Sequence, residues 1–132
     1  MKPKFCVFAV GLLAAAVPML AHHSFSAEFD SSKPVTLKGS VTKVDWLNPH
    51  IWIYLDVKDD SGKVASWQCE GGPPNTLTRN GWTKNDLKSG DAVTVSGTLA
   101  KDKSNSCNAS SVVMPNGRRV FAGSSNPDAE KQ

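Results

Sequence analysis

Residues 50–58 alternate strictly between apolar and polar side chains. One parity is wholly aliphatic and consists of Ile51, Ile53, Leu55 and Val57. The other parity carries Trp52, Tyr54 and Asp56. A period of two places successive side chains on opposite faces of a β-strand, whereas a helix requires a period near 3.6. The segment therefore predicts a strand with one buried face, and the fold must supply a sheet for that strand to join.

Pro49 interrupts the chain immediately before this strand. Proline has no N–H for a β-ladder, and it restricts the residue that precedes it. Residues 35–46 predict another strand, and its apolar parity switches near Lys43. A β-bulge or a strong bend would produce that switch. The sequence therefore predicts two strands that meet at a corner around Asn48 and His50.

The rest of the chain predicts short strands with one small helical insert. Further strands are predicted over residues 64–70, 92–100, 107–114 and 118–122. Residues 75–80 predict a helical turn that ends at Gly81, and Thr83 to Asp86 resembles a helix capping box. The order of three strands, an insert and two more strands predicts an all-β fold, a small five-stranded OB-like Greek-key barrel. The alternative is a β-sandwich, which usually needs about 7 strands.

The N-terminus has the pattern of a secretory signal peptide over residues 1–21. Lys2 and Lys4 precede an uncharged apolar run over residues 5–17, and the run is shorter than the roughly 20 residues of a membrane-spanning helix. Cleavage after Ala21 would leave His22 as the first residue. We therefore expect a periplasmic or secreted protein without a stable membrane anchor. Its predicted parts are an N-terminal segment (22–34), the barrel (35–122) and a disordered tail (123–132).

The charge balance changes when the signal peptide is removed. The full chain has 15 basic and 12 acidic residues. Without Lys2 and Lys4, 13 basic residues remain against the same 12 acidic ones. A net charge this close to zero argues against nucleic acid as a partner, because the phosphate backbone requires a basic surface.

The mature chain would keep two of the three cysteines. Cys6 lies in the signal peptide, and Cys69 and Cys107 remain. In an OB-type barrel the third strand closes against the fifth, and these are the strands that carry the two residues. An even number of cysteines in an exported chain suggests a disulfide. The alternative is that they are two separate buried thiols.

The three histidines suggest a metal site. If His22 becomes the first residue, its α-amine and imidazole can bind one metal ion, and His50 can supply a third nitrogen. His23 is an adjacent candidate. An all-nitrogen set suits Cu(II), then Ni or Zn, so copper is the candidate cofactor. Possible outer-shell partners are Glu70, Glu28 and Asp30. The alternative is a loose N-terminal tag and a histidine that serves only the turn.

The aromatic residues suggest a ligand-binding surface. The chain has tryptophan at positions 46, 52, 67 and 82, and Trp52 and Tyr54 share the polar face of their strand. Barrels of the OB type stack bases or sugars on such aromatic residues. The candidate ligand-binding residues are Trp46, Asn48, Trp52, Tyr54 and Glu70. The alternative is that the aromatic residues pack beneath the glycine-rich loop and the short helix.

The chain resembles a family of small exported bacterial proteins that is known as a domain of unknown function. The resemblance covers nearly the whole mature chain. The matching segments are His22-His23-Ser24-Phe25, Trp46-Leu47-Asn48-Pro49-His50-Ile51-Trp52, Glu70-Gly71-Gly72, Gly81-Trp82-Thr83, Leu87-Lys88-Ser89-Gly90-Asp91 and Gly117-Arg118-Arg119-Val120-Phe121. The two cysteines lie outside this pattern. The resemblance implies family membership, and it brings no catalytic residues with it.

The sequence favours a binding role over catalysis. It contains no nucleophile motif such as Gly-x-Ser-x-Gly, and no carboxylate pair stands at a recognisable spacing. We therefore expect an exported binding or accessory module that is not an enzyme. Its partner would be an envelope protein or a small ligand. The alternatives are a periplasmic copper-binding protein and an envelope protein-interaction module.

Overall fold

A computed structural model of the protein describes residues 25–123, although not the side chains of residues 25 and 26. The predicted signal peptide, His22, His23 and residues 124–132 of the predicted tail lie outside this range. The elements are α1 (Phe25–Glu28), β1 (Phe29–Asp45), β2 (Trp52–Lys58), β3 (Val64–Glu70), α2 (Pro74–Arg79), β4 (Ala92–Ala100), β5 (Ser106–Val113) and β6 (Arg119–Phe121). Within residues 25–123, no helix has the length and apolar character that a membrane crossing requires.

The strands form one sheet that closes on itself. Their order is β3-β2-β1-β4-β5-β6, and β3 also pairs with β5. The β3–β5 pairing is parallel, and the other pairings are antiparallel. Five strands thus close into a barrel, with the insert between β3 and β4 and β6 as a short extension beside β5. The predicted OB-like Greek-key barrel is confirmed.

The predicted bulge in the first strand is present. Val41 pairs with Leu55, but Lys43 pairs with Tyr54, so Thr42 is the extra residue. A bulge shifts the parity of every residue that follows it. Val41 is therefore buried before the bulge, and Val44 packs against the core after it.

β1 begins six residues earlier than the predicted position 35. Phe29 pairs with Ala100, and Pro34 pairs with Thr98, so the intervening residues pass through an irregular register. Local side-chain bonds accompany the irregularity, since Ser32 donates through both its N–H and its hydroxyl to Asp30. Residues 31–34 therefore have the predicted turn chemistry, but pairing with β4 makes them part of the strand.

The predicted disulfide is present at the barrel closure. Cys69 on β3 pairs in parallel register with Cys107 on β5, with their Cα atoms 4.5 Å apart. Their sulfur atoms are bonded at 2.05 Å. Both residues are fully buried. The disulfide therefore links two strands that are distant in sequence, at the seam where the barrel closes.

The insert between β3 and β4 covers one end of the core. Pro74 begins α2, and the Leu77 side chain of this helix is buried. Gly81 follows the helix with φ of +93°. This positive φ favours glycine after a helix. The Trp82 backbone N–H donates to the Leu77 carbonyl at 3.0 Å, and the Trp82 side chain points inward and is 1% exposed. The predicted helical segment is therefore confirmed with a shift of one residue.

The predicted capping interaction forms without a helix after it. The Thr83 N–H and hydroxyl donate to the two Asp86 carboxylate oxygens at 2.9 and 2.8 Å. The chain then makes a turn and proceeds towards β4. Arg118 also contacts Asp86, at 3.3 Å. The Thr83–Asp86 pair therefore stabilises a turn that is anchored to the β5–β6 hairpin.

Candidate functional site

The connection between β1 and β2, residues 46–51, places His50 on the outer face of the barrel. The Ile51 N–H donates to the Gly72 carbonyl at 3.1 Å, and the Gly71 N–H donates to the Ile51 carbonyl at 2.9 Å. These bonds continue the β2–β3 ladder beyond the end of β3. Because Ile51 is fully buried, its neighbours His50 and Trp52 lie on the outside.

His50 and Glu70 form a close pair on this outer face. Trp52 is directly opposite Glu70 in the β2–β3 ladder, so His50 is the diagonal neighbour of Glu70. Long side chains can meet across such a diagonal. The His50 Nδ1 donates to Glu70 Oε1 at 2.5 Å. The structure thus brings together two residues that the sequence analysis named as a metal ligand and its outer-shell partner.

The Glu70 carboxyl is largely withdrawn from water. Its side chain is 12% exposed, compared with 35% for His50. Burial raises the pKa of Glu70, the His50 ring opposes this shift, and the negative charge of Glu28 raises the pKa further. Burial disfavours a charged carboxylate unless its partners compensate fully. Here the compensation by His50 is incomplete, and Glu70 ionises less readily than an exposed glutamate.

This shift predicts a pH dependence of folding stability in the metal-free protein. The folded-state pKa of Glu70 is raised. Its stabilising contribution to the free energy of unfolding is therefore fully present below the ordinary value of 4.5, and it is lost as pH rises through the folded-state pKa. Glu70→Gln removes the titration. We expect the Gln variant to gain free energy of unfolding relative to wild type as pH rises above about 4.5, measured by urea unfolding in chelator-treated buffer across a pH series.

The control for this experiment is Asp60→Asn, which removes an exposed carboxylate from the β2–β3 hairpin loop. The difference in free energy of unfolding between this variant and wild type should stay nearly constant over the same pH range. A Glu70→Gln curve that runs parallel to that of wild type would show that the Glu70 environment is not coupled to folding.

A groove of about 670 Å³ lies beside this pair, between α1, the outer face of β2–β3 and the β4–β5 loop (residues 101–105). The lining residues come from each of these parts and from the ends of the adjoining strands: Ala27, Glu28, Phe29, Trp52, Gln68, Ala100, Lys101, Asp102, Ser104 and Ser106. Trp52 is half-buried, and Ser106 is 8% exposed. We call this feature the β2–β3 groove.

Backbone contacts hold the wall of the β2–β3 groove in place. The Lys101 N–H donates to the Glu28 carbonyl at 2.9 Å, which ties the end of α1 to the β4–β5 loop. Phe29 is buried and pairs with Ala100. On the floor, the Gln68 amide donates to the Ser106 hydroxyl at 3.1 Å. The groove is thus formed by paired backbone on several sides.

The other predicted ligand-binding residues lie elsewhere. Trp46 packs on Trp82, with ring centroids 6.1 Å apart. Asn48 is exposed in the β1–β2 connection, where the Asn48–Pro49 peptide is cis. Tyr54 lies on the same face as Trp52, and the Lys43 ammonium is 4.8 Å from its ring centroid. Of the predicted set, Trp52 is therefore the residue that lines the β2–β3 groove, with Glu70 opposite it.

Sequence reasoning did not identify several groove residues. Gln68 has the same parity as Glu70 on β3, so the alternation of that strand could have placed it on the outer face. Ser106 pairs with Gln68 across the β3–β5 closure. That closure and the position of the β4–β5 loop are tertiary features, and no local pattern in the sequence indicates them.

The predicted metal ligands are divided between described and undescribed parts of the chain. His50 is described, whereas His22 and His23 lie outside residues 25–123. Within that described range, no three side chains of His, Cys, Asp or Glu are grouped closely enough to hold a metal ion. Of the proposed outer-shell residues, Glu28 affects Glu70 electrostatically, and Asp30 bonds to Ser32.

Fold and site together define a small disulfide-linked OB-like barrel with a groove and a histidine–glutamate pair on its outer face. The chain matches the family of unknown function DUF6152 over residues 9–109. It therefore belongs to that family, which confirms the expected membership of a family of unknown function. No curated protein matches the chain, and no solved structure does.

Proposed function

We propose that the protein is an exported binding or accessory module that takes its ligand in the β2–β3 groove. The observation that carries the proposal is the position of the groove, with Trp52 on its floor, on the face of strands 2 and 3. Barrels of the OB type bind ligands on this face, with help from the β1–β2 and β4–β5 loops. The volume of about 670 Å³ falls within the range of small-ligand pockets, roughly 300–1,000 Å³.

Two observations support export to the periplasm or beyond. Residues 1–21 combine Lys2 and Lys4 with an uncharged apolar run, as signal peptides do. The Cys69–Cys107 disulfide suits an oxidising compartment, because the cytosol keeps most thiols reduced. Cell fractionation followed by intact-mass measurement tests this part of the proposal. A full-length chain recovered from the cytosol would contradict it.

The binding role is tested by an NMR screen of the mature protein. Neutral trisaccharides, short oligonucleotides and short peptides are added separately, and the indole N–H signals are followed. Trp52→Phe identifies the signal of Trp52 by its loss. We expect at least one class to shift that signal together with the backbone amides of Gln68 and Ser106. If no class shifts them, the groove is not a ligand site for these compounds and the proposal fails.

A second candidate function is copper binding, and the His50–Glu70 contact favours it. Metal-bound histidines usually donate their other ring N–H to a carboxylate or carbonyl, which fixes the ring and its tautomer. Here Nδ1 donates to Glu70, which leaves Nε2 available for a metal. His22 is six residues before Glu28, and because Phe25–Glu28 form α1, this segment spans at most about 15 Å. Because Glu28 is close enough to influence Glu70, a mature N-terminus at His22 is within reach of His50.

The copper proposal predicts a loss of affinity when His50 is removed. Mass spectrometry first establishes whether His22 is the N-terminal residue, and calorimetry then measures Cu(II) binding to the mature protein. We expect His50→Ala to weaken binding more than about 10-fold and Glu70→Gln to weaken it by about 10-fold, since outer-shell changes typically cost 10- to 100-fold. His23→Ala distinguishes the two N-terminal histidines. A different first residue, or an affinity that His50→Ala leaves unchanged, would contradict the proposal.

A further inference from the structure

We propose that the ligand of the β2–β3 groove is a neutral saccharide that stacks on Trp52. This inference rests on the binding role proposed for the groove, and it adds the chemical class of the ligand. Three features of the groove carry it: the position of the indole, the type of polar groups around it, and the sign of the charge.

The Trp52 ring lies at the centre of a row across three strands. It is directly opposite Asp45 on β1 and Glu70 on β3. These cross-strand neighbours flank the indole, which is partly exposed and lines the groove. A large rigid aromatic ring supplies contact area with little loss of conformational entropy. The apolar C–H face of a sugar ring fits such a flat surface.

The polar groups on the floor of the groove suit hydroxyl partners. Gln68 offers an amide that both donates and accepts, and its contact with Ser106 uses one N–H of the amide nitrogen. Ser106 adds a hydroxyl at the same place, and Ser104 adds another from the β4–β5 loop. Amides and hydroxyls can both donate and accept, as sugar hydroxyls do, so the hydrogen-bonding capacities match in both directions.

The charge of the groove argues against an anionic ligand. Glu28 and Asp102 line it, compared with one basic residue, Lys101. Glu70 adds a carboxyl beside Trp52. Nucleic acids and other polyanions need several basic side chains on the surface that binds them. A neutral polyol avoids this repulsion, and carboxylate oxygens accept hydrogen bonds from its hydroxyls.

The experiment is calorimetry and NMR with neutral trisaccharides of glucose and of N-acetylglucosamine, using the mature protein. A single-stranded oligonucleotide serves as the anionic comparison. We expect at least one trisaccharide to bind, with the same affinity at low and high salt, and Trp52→Ala to weaken that binding at least 10-fold. Trp52→Phe, which keeps an aromatic ring, should weaken it less. Gln68→Ala should weaken it, whereas Ser66→Ala, on the same face of β3 but outside the groove, should not.

Three results would overturn the inference. If no trisaccharide binds while the oligonucleotide, or a peptide from the NMR screen of the binding role, shifts the Trp52 signal, the groove is a ligand site for another chemical class, and the binding role survives. If a trisaccharide binds equally well to Trp52→Ala, whose fold is checked by its NMR spectrum, the saccharide site lies elsewhere. If none of these compounds affects the groove, both the inference and the binding role fail.

Discussion

Replacing both Cys69 and Cys107 by alanine is expected to remove a large part of the stability of the barrel. The disulfide closes a loop between residues 38 positions apart, and for a loop of this length the chain-entropy estimate is about 4 kcal/mol. The total free energy of unfolding of a small domain is only about 5–15 kcal/mol. We therefore expect the melting temperature to fall by roughly 20 °C, as measured by circular dichroism.

Reduced wild-type protein is the matched control for this prediction. Because both cysteines are fully buried, the disulfide should be reduced in denaturant and the protein then refolded with the reductant present. Its melting temperature should approach that of the double variant. A double variant within a few degrees of oxidised wild type would show that the strand pairing alone holds the barrel closed.

Trp82→Ala is expected to destabilise the fold by about 3–5 kcal/mol, the usual loss when a fully buried large aromatic residue is truncated. Trp82 is 1% exposed, and its Nε1 donates to the Phe121 carbonyl at 2.7 Å. It also supports Trp46 in the β1–β2 connection. The substitution thus leaves a cavity beneath the insert and an unpaired carbonyl on β6. Urea unfolding measures the difference.

Trp82→Phe separates packing from hydrogen bonding. It keeps an aromatic ring in the core but loses the bond to Phe121, so a loss of about 1–3 kcal/mol is expected. Trp82→Ala should therefore be clearly the less stable of the two. If both variants lose the same amount, the hydrogen bond accounts for the effect and the packing against Trp46 contributes little.

The strands with clear alternation were predictable from the sequence alone. Residues 64–70 and 92–100 match β3 and β4 without any shift. The parity switch near Lys43 correctly indicated the bulge, because a change of face in a strand has few other causes. The topology predicted that Cys69 and Cys107 are neighbours, because they lie on the strands that close an OB-type barrel. The structure then decides between a disulfide and two separate thiols in favour of the disulfide.

Tertiary pairing explains what local patterns missed. Residues 31–34 have turn chemistry, yet they belong to β1 because β4 lies beside them and pairs with Phe29 and Pro34. The predicted second strand starts at residue 50, whereas β2 begins at Trp52. His50 belongs instead to the connection that follows the cis peptide at Pro49.

The site was predictable only in part, for a similar reason. His50, Glu70 and Trp52 could be named because they are adjacent in the ladder or in the sequence. The wall of the groove could not, since α1 and the β4–β5 loop are about 70 residues apart and meet through the bond between Lys101 and Glu28. Ser106 joins Gln68 only when β3 and β5 come together.

The β3–β5 pairing also determines when folding can be completed. Strands that pair across a long stretch of chain form slowly, because the chain loses entropy before the contacts are gained. Until β5 arrives, the edge of β3 has unpaired N–H and carbonyl groups, which are a template for association with other chains. A chain shortened to end before Ser106 would keep this edge open permanently. We expect such a chain to aggregate rather than to form a smaller stable barrel.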